Sequence, residues 1–361
     1  MKLSYIIAAL EEYAPLALQE KWDNSGLQTG LPADSDGECT GALLCVDVTP
    51  AVIDEAVRRG CNLVVSHHPL IFKGLRSLTG RTPAERTVAA AIRAGVAVYS
   101  SHTALDSTEG GISYEMAARL GARPLRVLSA ADAPAARLSV TCSRDRAADV
   151  RLIMLDADSD RCDYFDIDGE TAAGTADTTL ADSIVRHTPL CRVEATVAAG
   201  DTRRIVNALR DMPGGERLRI DIVPLDNRDS SLGLGVLAVF DTPVTQAALT
   251  AMLKERFGIS AIKASASYDP EAKVRRIALC GGSGGEFIGA ATAAGAQAYV
   301  TADVRYHDFA DNAGNAMTVF DIGHYESEAC SKDIFYRIIK NKFPNFAVYI
   351  SEVETSPVRY L

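Results

Sequence analysis

Two adjacent histidines, His67 and His68, follow a short apolar run in the segment NLVVSHHPLIF at residues 62–72. The run Leu63–Val65 predicts a buried strand, and Pro69 prevents a helix from continuing through the pair. On a strand, neighbouring side chains would point to opposite faces, whereas on a turn just past the strand both imidazoles can face one cleft. The alternative is a solvated turn that happens to be rich in histidine, but the chain has only six histidines.

Three more histidines occupy the same kind of position, directly after a predicted strand: His102, His307 and His324. Open α/β sheets bind ligands at the carboxyl ends of their strands, and histidines placed by chance would not keep to that end. Carboxylates lie four residues away in the pairs His102–Asp106, Asp303–His307 and His324–Glu328. On a helix, this spacing puts His324 and Glu328 on one face, within reach of a single metal ion.

Imidazole and carboxylate ligands without thiolate suit a catalytic zinc, manganese, iron, cobalt or nickel ion. The candidate ligands are His67, His68, Asp106, His324 and Glu328. Five ligands are more than one tetrahedral zinc ion needs, whereas two divalent ions about 3.5–4 Å apart, bridged by a carboxylate and a water, would use them all. Glu328 is the predicted bridge. The bridging water would be acidified towards hydroxide and could attack a carbon or phosphorus centre.

The two remaining histidines of this set, His102 and His307, are predicted to orient the ligands or to transfer protons. The sixth histidine, His187, lies in a different part of the chain, where no obvious catalytic cluster accompanies it, so we expect no functional role for it. The alternative for the whole set is that it consists of unrelated surface and core histidines.

The elements that must position these residues alternate between strand and helix in the first part of the chain. Strand patterns cover 41–48, 63–65 and 96–100, and helix patterns cover 49–59 and 82–94. Pro50 near the start of the first helix and the capping box Thr82-x-x-Glu85 at the second support these boundaries. The alternation predicts an α/β fold with a largely parallel sheet.

Two turn-rich segments flank the predicted strands. KWDNSGLQTG at residues 21–30 contains the only tryptophan, Trp22, which indicates either a loop anchored by one buried aromatic residue or the wall of a pocket. Residues 281–285 form the turn GGSGG before a predicted helix. Backbone amides of such a turn could hold an anion, although similar turns also serve the ordinary packing of a helix on a strand.

Residues 131–228 depart from the α/β pattern. Three strand patterns, at 136–142, 191–197 and 217–223, alternate with two helix patterns, which predicts a small inserted α+β domain of ferredoxin-like type. The insert separates two parts of a metal-binding core, residues 1–130 and 229–361. The predicted fold is therefore an α/β core of two halves around a metal cleft, interrupted by this insert.

Composition narrows the classes of partner. The chain has 361 residues, a net charge of −10 and 47% hydrophobic residues, which predicts a globular protein without the basic face that nucleic-acid binding needs. No apolar run approaches the ~18 residues that span a bilayer, and the N-terminus does not read as a signal peptide. Eight scattered cysteines without a CxxC pair predict reduced, mostly buried thiols in a cytoplasmic protein.

Five segments resemble, in order, the signature motifs of the Nif-three-like dinuclear metal-centre family, whose members are often named homologues of GTP cyclohydrolase I type 2. The segments are WDNSGLQTG, VVSHHPLIF, SHTALD, TADVRYHDFADNAG and DIGHYESE. The resemblance covers about residues 1–130 and 229–361 and implies metal ligands at the five positions named above. It also implies a CutA-like ferredoxin-type insert and a homohexamer, a toroid of two trimers with the sites facing an inner cavity.

The function implied by the resemblance is metal-dependent hydrolysis of GTP or a related nucleotide through the metal-bridging water. The alternative is a non-enzymatic metal-binding regulator or scaffold, with the insert facing its partner. A ring that threads nucleic acid is disfavoured by the negative charge of the chain. The insert reads PGGERLRID where longer family members have His-Pro-Tyr-Glu, so no function of that stretch is transferred.

Overall fold

The computed structural model describes residues 1–32, 37–131, 135–155, 162–167, 190–198, 202–225 and 231–360. The chain forms two units, which we call the core unit, Met1–Ala131 with Ser230–Leu361, and the insert, Asp132–Asp229. These limits lie one residue from the boundaries that the sequence predicts. His187 lies outside the described residues.

Strands and helices are numbered along the chain. The strands are β1 (Gly26–Thr29), β2 (Ala42–Cys45), β3 (Leu63–Ser66), β4 (Ala97–Ser100), β5 (Arg123–Ala130), β6 (Ala135–Ser143), β7 (Cys162–Ile167), β8 (Leu190–Ala198), β9 (Arg219–Leu225), β10 (Gly233–Thr245), β11 (Lys263–Ala264), β12 (Lys273–Ser283), β13 (Ala298–Ala302), β14 (Thr318–Asp321) and β15 (Val348–Ile350). The helices are α1 (Leu3–Tyr13), α2 (Pro50–Arg58), α3 (Pro83–Ala94), α4 (Thr103–Ser107), α5 (Ile112–Leu120), α6 (Ala147–Leu155), α7 (Thr202–Asp211), α8 (Gln246–Phe257), α9 (Ile288–Ala293), α10 (Tyr306–Asp311), α11 (His324–Glu328) and α12 (Ser331–Lys342).

The first sheet of the core unit has the strand order β1-β4-β3-β2-β15. Strands β15, β2, β3 and β4 are parallel, and β1 pairs with β4 in the antiparallel sense. Every residue of β2, β3 and β4 is buried, as expected of parallel strands covered on both faces. The carboxyl ends of β3 and β4 are adjacent, so the residues that follow them meet at one edge of the sheet.

The second sheet of the core unit is mixed, with the order β11-β14-β13-β12-β10-β5. Strands β12, β13 and β14 are parallel, whereas β10 is antiparallel to both β12 and β5. The predicted α/β fold is confirmed, with a second sheet that is less uniformly parallel than the first. One hydrophobic cluster includes Leu44 and Val65 of the first sheet, Leu279 and Val300 of the second, and Phe335 of α12, so the core unit is built around a shared core.

Local signals account for the helix ends in the first sheet. The Thr82 hydroxyl accepts a hydrogen bond from the Glu85 N–H at 3.2 Å, which starts α3. The Glu85 carboxylate accepts bonds from Thr79 instead of the Thr82 backbone, so only half of the predicted capping box forms. Gly95 ends α3 with φ 64°, a backbone conformation that favours glycine.

The described part of the insert follows the order β6-α6-β7-β8-α7-β9, and its sheet has the order β7-β8-β6-β9 with antiparallel pairs throughout. This is the element order of a split βαβ, ferredoxin-like motif. Strand β7 is not among the three strands that the sequence predicts for the insert. A separate apolar cluster fills the insert between its sheet and its helices α6 and α7.

All eight cysteines are free and buried, which confirms their predicted state as core thiols. Among the residues that the structure describes, no helix combines the length and the apolar character needed to cross a bilayer. The predicted cytoplasmic location remains a prediction.

Candidate metal centre

The two adjacent histidines extend the first sheet beyond the end of β3. The His67 N–H donates to the Cys45 carbonyl at 3.3 Å, and the His68 N–H donates to the Val46 carbonyl at 3.0 Å. The backbone of these two residues departs from strand geometry, so their side chains do not point to opposite faces. The two imidazole centroids lie 5.1 Å apart, and the ring planes are inclined at 43°. Both rings approach Glu328, so both face one cleft.

Four histidines of this region have the Nδ1 atom fixed by an oxygen. The pairs are His67 with the Ser101 carbonyl (3.0 Å), His68 with Asp47 (2.8 Å), His102 with Asp23 (2.8 Å) and His324 with Asp303 (2.7 Å). An oxygen on Nδ1 sets the orientation of an imidazole and leaves Nε2 to bind a metal ion, as is usual around protein metal sites. All four Nε2 atoms are therefore available to the cleft.

The Nε2 atoms and carboxylates form two groups that share Glu328. In the inner group, His67 Nε2 lies 3.7 Å from Asp106 Oδ1 and 3.5 Å from Glu328 Oε1. In the outer group, Glu328 Oε2 lies 2.9 Å from His68 Nε2 and 3.2 Å from His324 Nε2, and the two nitrogens are 3.3 Å apart. One oxygen of Glu328 thus faces each group.

The nitrogen and oxygen atoms of these groups are arranged better for binding metal ions than for binding one another. Within the described part of the chain, His67 Nε2 and Asp106 Oδ1 are buried and lack a hydrogen-bond partner, and the buried Glu328 Oε2 has the two outer imidazole nitrogens beside it. Unpaired buried polar atoms are costly, and a cation would satisfy both. The outer separations of 2.9 to 3.3 Å also match the roughly 2.8–3.6 Å between ligands that lie about 2.0–2.2 Å from one ion.

The two buried carboxyls differ in charge. Burial raises the pKa of Asp106 to about 7, against the lowering effect of His67. Burial acts in the same direction on Glu328, but the electrostatic effect of the neighbouring His67 and hydrogen bonds from the surrounding imidazoles hold its pKa well below the usual range. Glu328 is therefore ionised at neutral pH, which suits a carboxylate that faces both groups of ligands.

The two outer imidazoles are basic. Burial lowers the pKa of His68, but hydrogen bonds to Asp47 and Glu328 outweigh it and raise the pKa to about 10. For His324, burial is likewise outweighed by Glu328 and Asp303, and the pKa rises to about 9. Without a cation, both rings hold a proton at neutral pH, and a bound metal ion has to displace it.

The glycine-rich turn at 281–285 lies directly against the shared carboxylate. Gly282 has φ +62°, and a Cβ there would lie 2.2 Å from Glu328 Oε1 and 3.5 Å from His324 Cε1. The Gly282 N–H donates to Ser327 Oγ at 2.9 Å, so it is not offered to an anion. This part of the turn serves the close approach of the backbone to Glu328 rather than the binding of an anion, one of the two roles considered for it from the sequence.

A cavity of about 390 Å³ opens beside the two groups. Its lining includes members of both groups and the side chains of Trp22, Phe72, His102 and Phe287. His102 lies close to the first two ligands, with ring centroids 5.3 Å from His67 and 5.5 Å from His68. These three histidines each offer one ring nitrogen within 4.8 Å of the others, as do His68, His324 and Glu328.

His307, the other histidine predicted to transfer protons, lies apart from this assembly. It is exposed on α10, where its ring contacts Tyr306 with centroids 5.5 Å apart. Among the described residues that line the cavity, His307 is absent. The structure therefore brings His67, His68, His102, Asp106, His324 and Glu328 together, and does not bring His307 to them.

A family model described as Duf34/NIF3 (NGG1p interacting factor 3) matches residues 1–357. The chain belongs to this family. The proteins named "GTP cyclohydrolase 1 type 2 homolog" from Staphylococcus aureus (strain MSSA476) and Bacillus subtilis (strain 168) are 26% and 24% identical to it, over 100% and 99% of this chain and 100% and 98% of theirs. The solved structure of a Bacillus cereus protein related to NIF3 is 24% identical, with a TM-score of 0.79 over 100% of this chain and 99% of that one.

These comparisons confirm the predicted family and the α/β fold of a NIF3 protein. Three carboxylates of this NIF3 chain escaped the sequence analysis as site residues: Asp23, Asp47 and Asp303. Asp47 and Asp303 each follow a buried strand, β2 and β13, so the strand-end rule that found the histidines could also have found them. Asp23 carries no such signal apart from its place in the motif WDNSGLQTG.

Proposed function

We propose that this NIF3 family protein is a hydrolase that requires two divalent metal ions and acts on a nucleotide such as GTP. The observation that supports the proposal is the convergence of two buried polar atoms without partners in the described chain, His67 Nε2 and Asp106 Oδ1, on the Glu328 carboxylate beside an open cavity. Such atoms call for a cation, and the cavity gives a substrate access to it.

The inner group would hold one ion and the outer group the other, with one oxygen of Glu328 for each. When bound, zinc, manganese, iron, cobalt or nickel ions would acidify a water molecule and polarise the group that it attacks. The chain itself contributes five ligand side chains whose orientation is set in advance. The Nδ1 partners fix the rings, and the close backbone of Gly282 confines the carboxylate of Glu328.

His102 is the residue to which we assign proton transfer. Its Nδ1 is held by Asp23, whose enclosed carboxylate also accepts hydrogen bonds from the Thr103 hydroxyl at 2.6 Å and the Thr103 N–H at 3.1 Å. Burial would raise the pKa of Asp23, but the bonds from His102 and Thr103 lower it below its ordinary value. The ring is therefore fixed, and its Nε2 can take a proton from, or give one to, a substrate atom in the cavity.

A nucleotide substrate is supported by the name of the relatives and by the dimensions of the cavity. Its volume of about 390 Å³ lies within the roughly 300–1,000 Å³ of small-molecule sites.

We also propose the homohexamer that the family resemblance implies. Sedimentation of the purified protein should give the mass of six chains, and a monomer would contradict this part of the proposal.

The proposal is tested first by metal content and then by turnover. Elemental analysis of protein purified without chelator should find close to two ions per chain. Metal-supplemented protein should then hydrolyse GTP or another member of a panel of nucleotides and phosphoesters. A His102→Asn variant should keep both ions and lose roughly 10²–10⁴-fold in turnover, the usual contribution of a proton-transfer residue.

Two outcomes would count against the proposal in different ways. A metal content near zero would remove the basis of the site. Full loading without turnover of any substrate class would favour a metal-binding regulator or scaffold instead. If His102→Asn loses an ion, His102 is a ligand rather than the proton-transfer residue.

A further inference from the structure

An exposed pair of aromatic rings stands at the cavity beside the candidate metal centre. Trp22 is 59% exposed and Phe72 is 46% exposed, although both line the cavity. Their ring centroids are 5.9 Å apart and the rings are inclined at 58°. A third ring can lie flat on one of them and meet the other with its edge, which is a favourable arrangement for aromatic groups.

The backbone that carries this pair is anchored although the rings are exposed. Next to Trp22, the Asp23 carboxylate is bonded to His102 and Thr103. Next to Phe72, the Ile71 carbonyl accepts a hydrogen bond from Asn24 Nδ2 at 2.6 Å, and further bonds tie the two segments together. Trp22 is therefore not the buried anchor of its loop, because polar contacts anchor the loop and the Trp22 ring is exposed to solvent.

The aromatic pair lies next to the ligands rather than at a distance. The His102 ring centroid lies 5.9 Å from that of Trp22 and 6.2 Å from that of Phe72. The same His102 ring lies 5.3 Å from His67 and 5.5 Å from His68. A planar group bound against the pair would therefore lie one ring away from the candidate metal ligands.

Away from the candidate metal ligands, the lining of the cavity suits a ring better than a polyphosphate. This part of the lining carries one carboxylate, Glu286, and none of its described residues is Lys or Arg. Polyphosphates are usually recognised by such cationic side chains. The apolar side chains of Leu234 and Phe287 add further surface for a flat, weakly charged group.

We propose that Trp22 and Phe72 form the binding subsite for the planar nitrogen heterocycle of the substrate. The proposal deepens the function proposed above by naming the part of a nucleotide that the site recognises. It concerns binding alone, so it can be tested without turnover.

Trp22 is the only tryptophan in the chain, so its fluorescence reports directly on this subsite. Zinc-loaded protein would be titrated with guanosine, adenosine, cytidine, GTP and ribose 5-phosphate. We expect at least one nucleoside to change the emission and ribose 5-phosphate to have no effect. The proposal is overturned if no nucleoside changes the emission, or if ribose 5-phosphate binds as well as the nucleosides.

Substitution of Phe72 keeps the reporter and tests the second ring. Phe72→Leu should weaken binding of the responsive nucleoside roughly tenfold, in line with the effect of removing one stacking ring, and Phe72→Tyr should retain it. Phe165→Leu is a matched control, because Phe165 is 49% exposed and lies in the insert, and it should bind as the wild type does. Equal weakening by Phe72→Leu and Phe165→Leu would overturn the proposal.

The two proposals fail separately. If nucleoside binding depends on Phe72 but no substrate is turned over, the hydrolase proposal fails and the subsite proposal stands. If substrate is turned over with a KM that Phe72→Leu does not change, the hydrolase proposal stands and the subsite proposal fails. Protection of Trp22 from acrylamide quenching without any response to nucleosides would assign the pair to a contact between copies of the chain and would likewise overturn the subsite.

Discussion

The inner and outer groups of the candidate metal centre share Glu328 but differ in their access to solvent. The His67 side chain is 0% exposed and is held by the Ser101 carbonyl, whereas the His324 side chain is 36% exposed and is held by Asp303, itself 53% exposed. The inner position is therefore the more enclosed of the two, although Asp106 and Glu328 line the cavity. The outer position is open on one side and depends on charged partners at the surface.

Two ions bound at these positions would therefore not be equivalent. An ion in the inner group should leave more slowly, because the His67 and Glu328 side chains are enclosed. An ion in the outer group would face solvent past His324. We therefore expect the metal ion to exchange slowly at the inner position and fast at the outer one. The following variants test that distinction.

The largest effect is expected from Glu328→Gln, which removes the charge that both groups share. The amide keeps the shape of the side chain but offers one oxygen in place of a carboxylate, so both positions should lose affinity. We expect metal content to fall from two ions towards zero, with affinity lowered by more than the roughly 100-fold upper limit for residues that only support ligands. Elemental analysis after dialysis measures this.

The matched control for that variant is Glu326→Gln on the same helix, α11. Glu326 is half-buried and lies near Gly323 and Tyr360, away from the inner group. It should keep both ions. Retention of two ions in Glu328→Gln would contradict the shared role of this carboxylate, and loss of ions in both variants would point to a general disturbance of α11.

The next effect separates the two positions. His324→Asn should leave one slowly exchanging ion per chain, because the inner group stays intact. His67→Asn should lose that slow ion. It should also lower the free energy of unfolding by about 1–3 kcal/mol, because the buried Ser101 carbonyl loses its hydrogen bond from His67 Nδ1. Release to a coloured chelator and chemical denaturation measure the two effects. Identical release curves for the two variants would abolish the distinction.

The positions of the ligands could be predicted from the sequence because they follow from local rules. Strand ends gave His67, His68 and His324, and a spacing of one helical turn gave Glu328. The structure places His324 Nε2 3.2 Å from Glu328 Oε2 on α11, as this spacing predicts. Buried parallel strands leave few choices for where the next residues go.

The partners of the imidazoles could not be predicted in the same way. Spacing paired Asp303 with His307, but Asp303 contacts His324 Nδ1 at 2.7 Å. Among the described residues, Asp303 is the one non-glycine with positive φ, at 52°, and this turn breaks the regular spacing after β13. The contact of Asp23 with His102 spans 79 residues, which no local pattern encodes.

Five strands at the edges of sheets were also missed, β1, β5, β7, β11 and β15, for a related reason. The pairing of β15 with β2 joins Val348–Ile350 to Ala42–Leu44, and β5 joins an edge of the second sheet next to β10. Short edge strands gain their structure from the neighbour they pair with, so their own sequence carries little signal. The same holds for β7 at the edge of the insert.

A smaller effect is expected from pH, and it should differ between the two positions. The pKa of His68 is raised to about 10 and that of His324 to about 9, so an outer ion must displace protons at neutral pH. Each displaced proton makes affinity rise about tenfold per pH unit. Between pH 6 and 8 the outer affinity should therefore rise about 100-fold for each proton displaced, which competition titrations with a calibrated chelator measure. An outer affinity that does not change with pH would contradict this.

The smallest effect should come from Asp303→Asn. Asparagine tolerates positive φ nearly as well as aspartate does, so the variant removes the charge behind His324 while the turn is kept. We expect about a tenfold loss of affinity at the outer position, at the low end for a residue that orients a ligand, and no change at the inner one. Asp308→Asn is the control, because Asp308 pairs with Arg305 on α10 instead of with a ligand. Equal losses at both positions in Asp303→Asn would show that the inner and outer groups respond as one unit, since a purely local change at the exposed ring could not reach the enclosed His67.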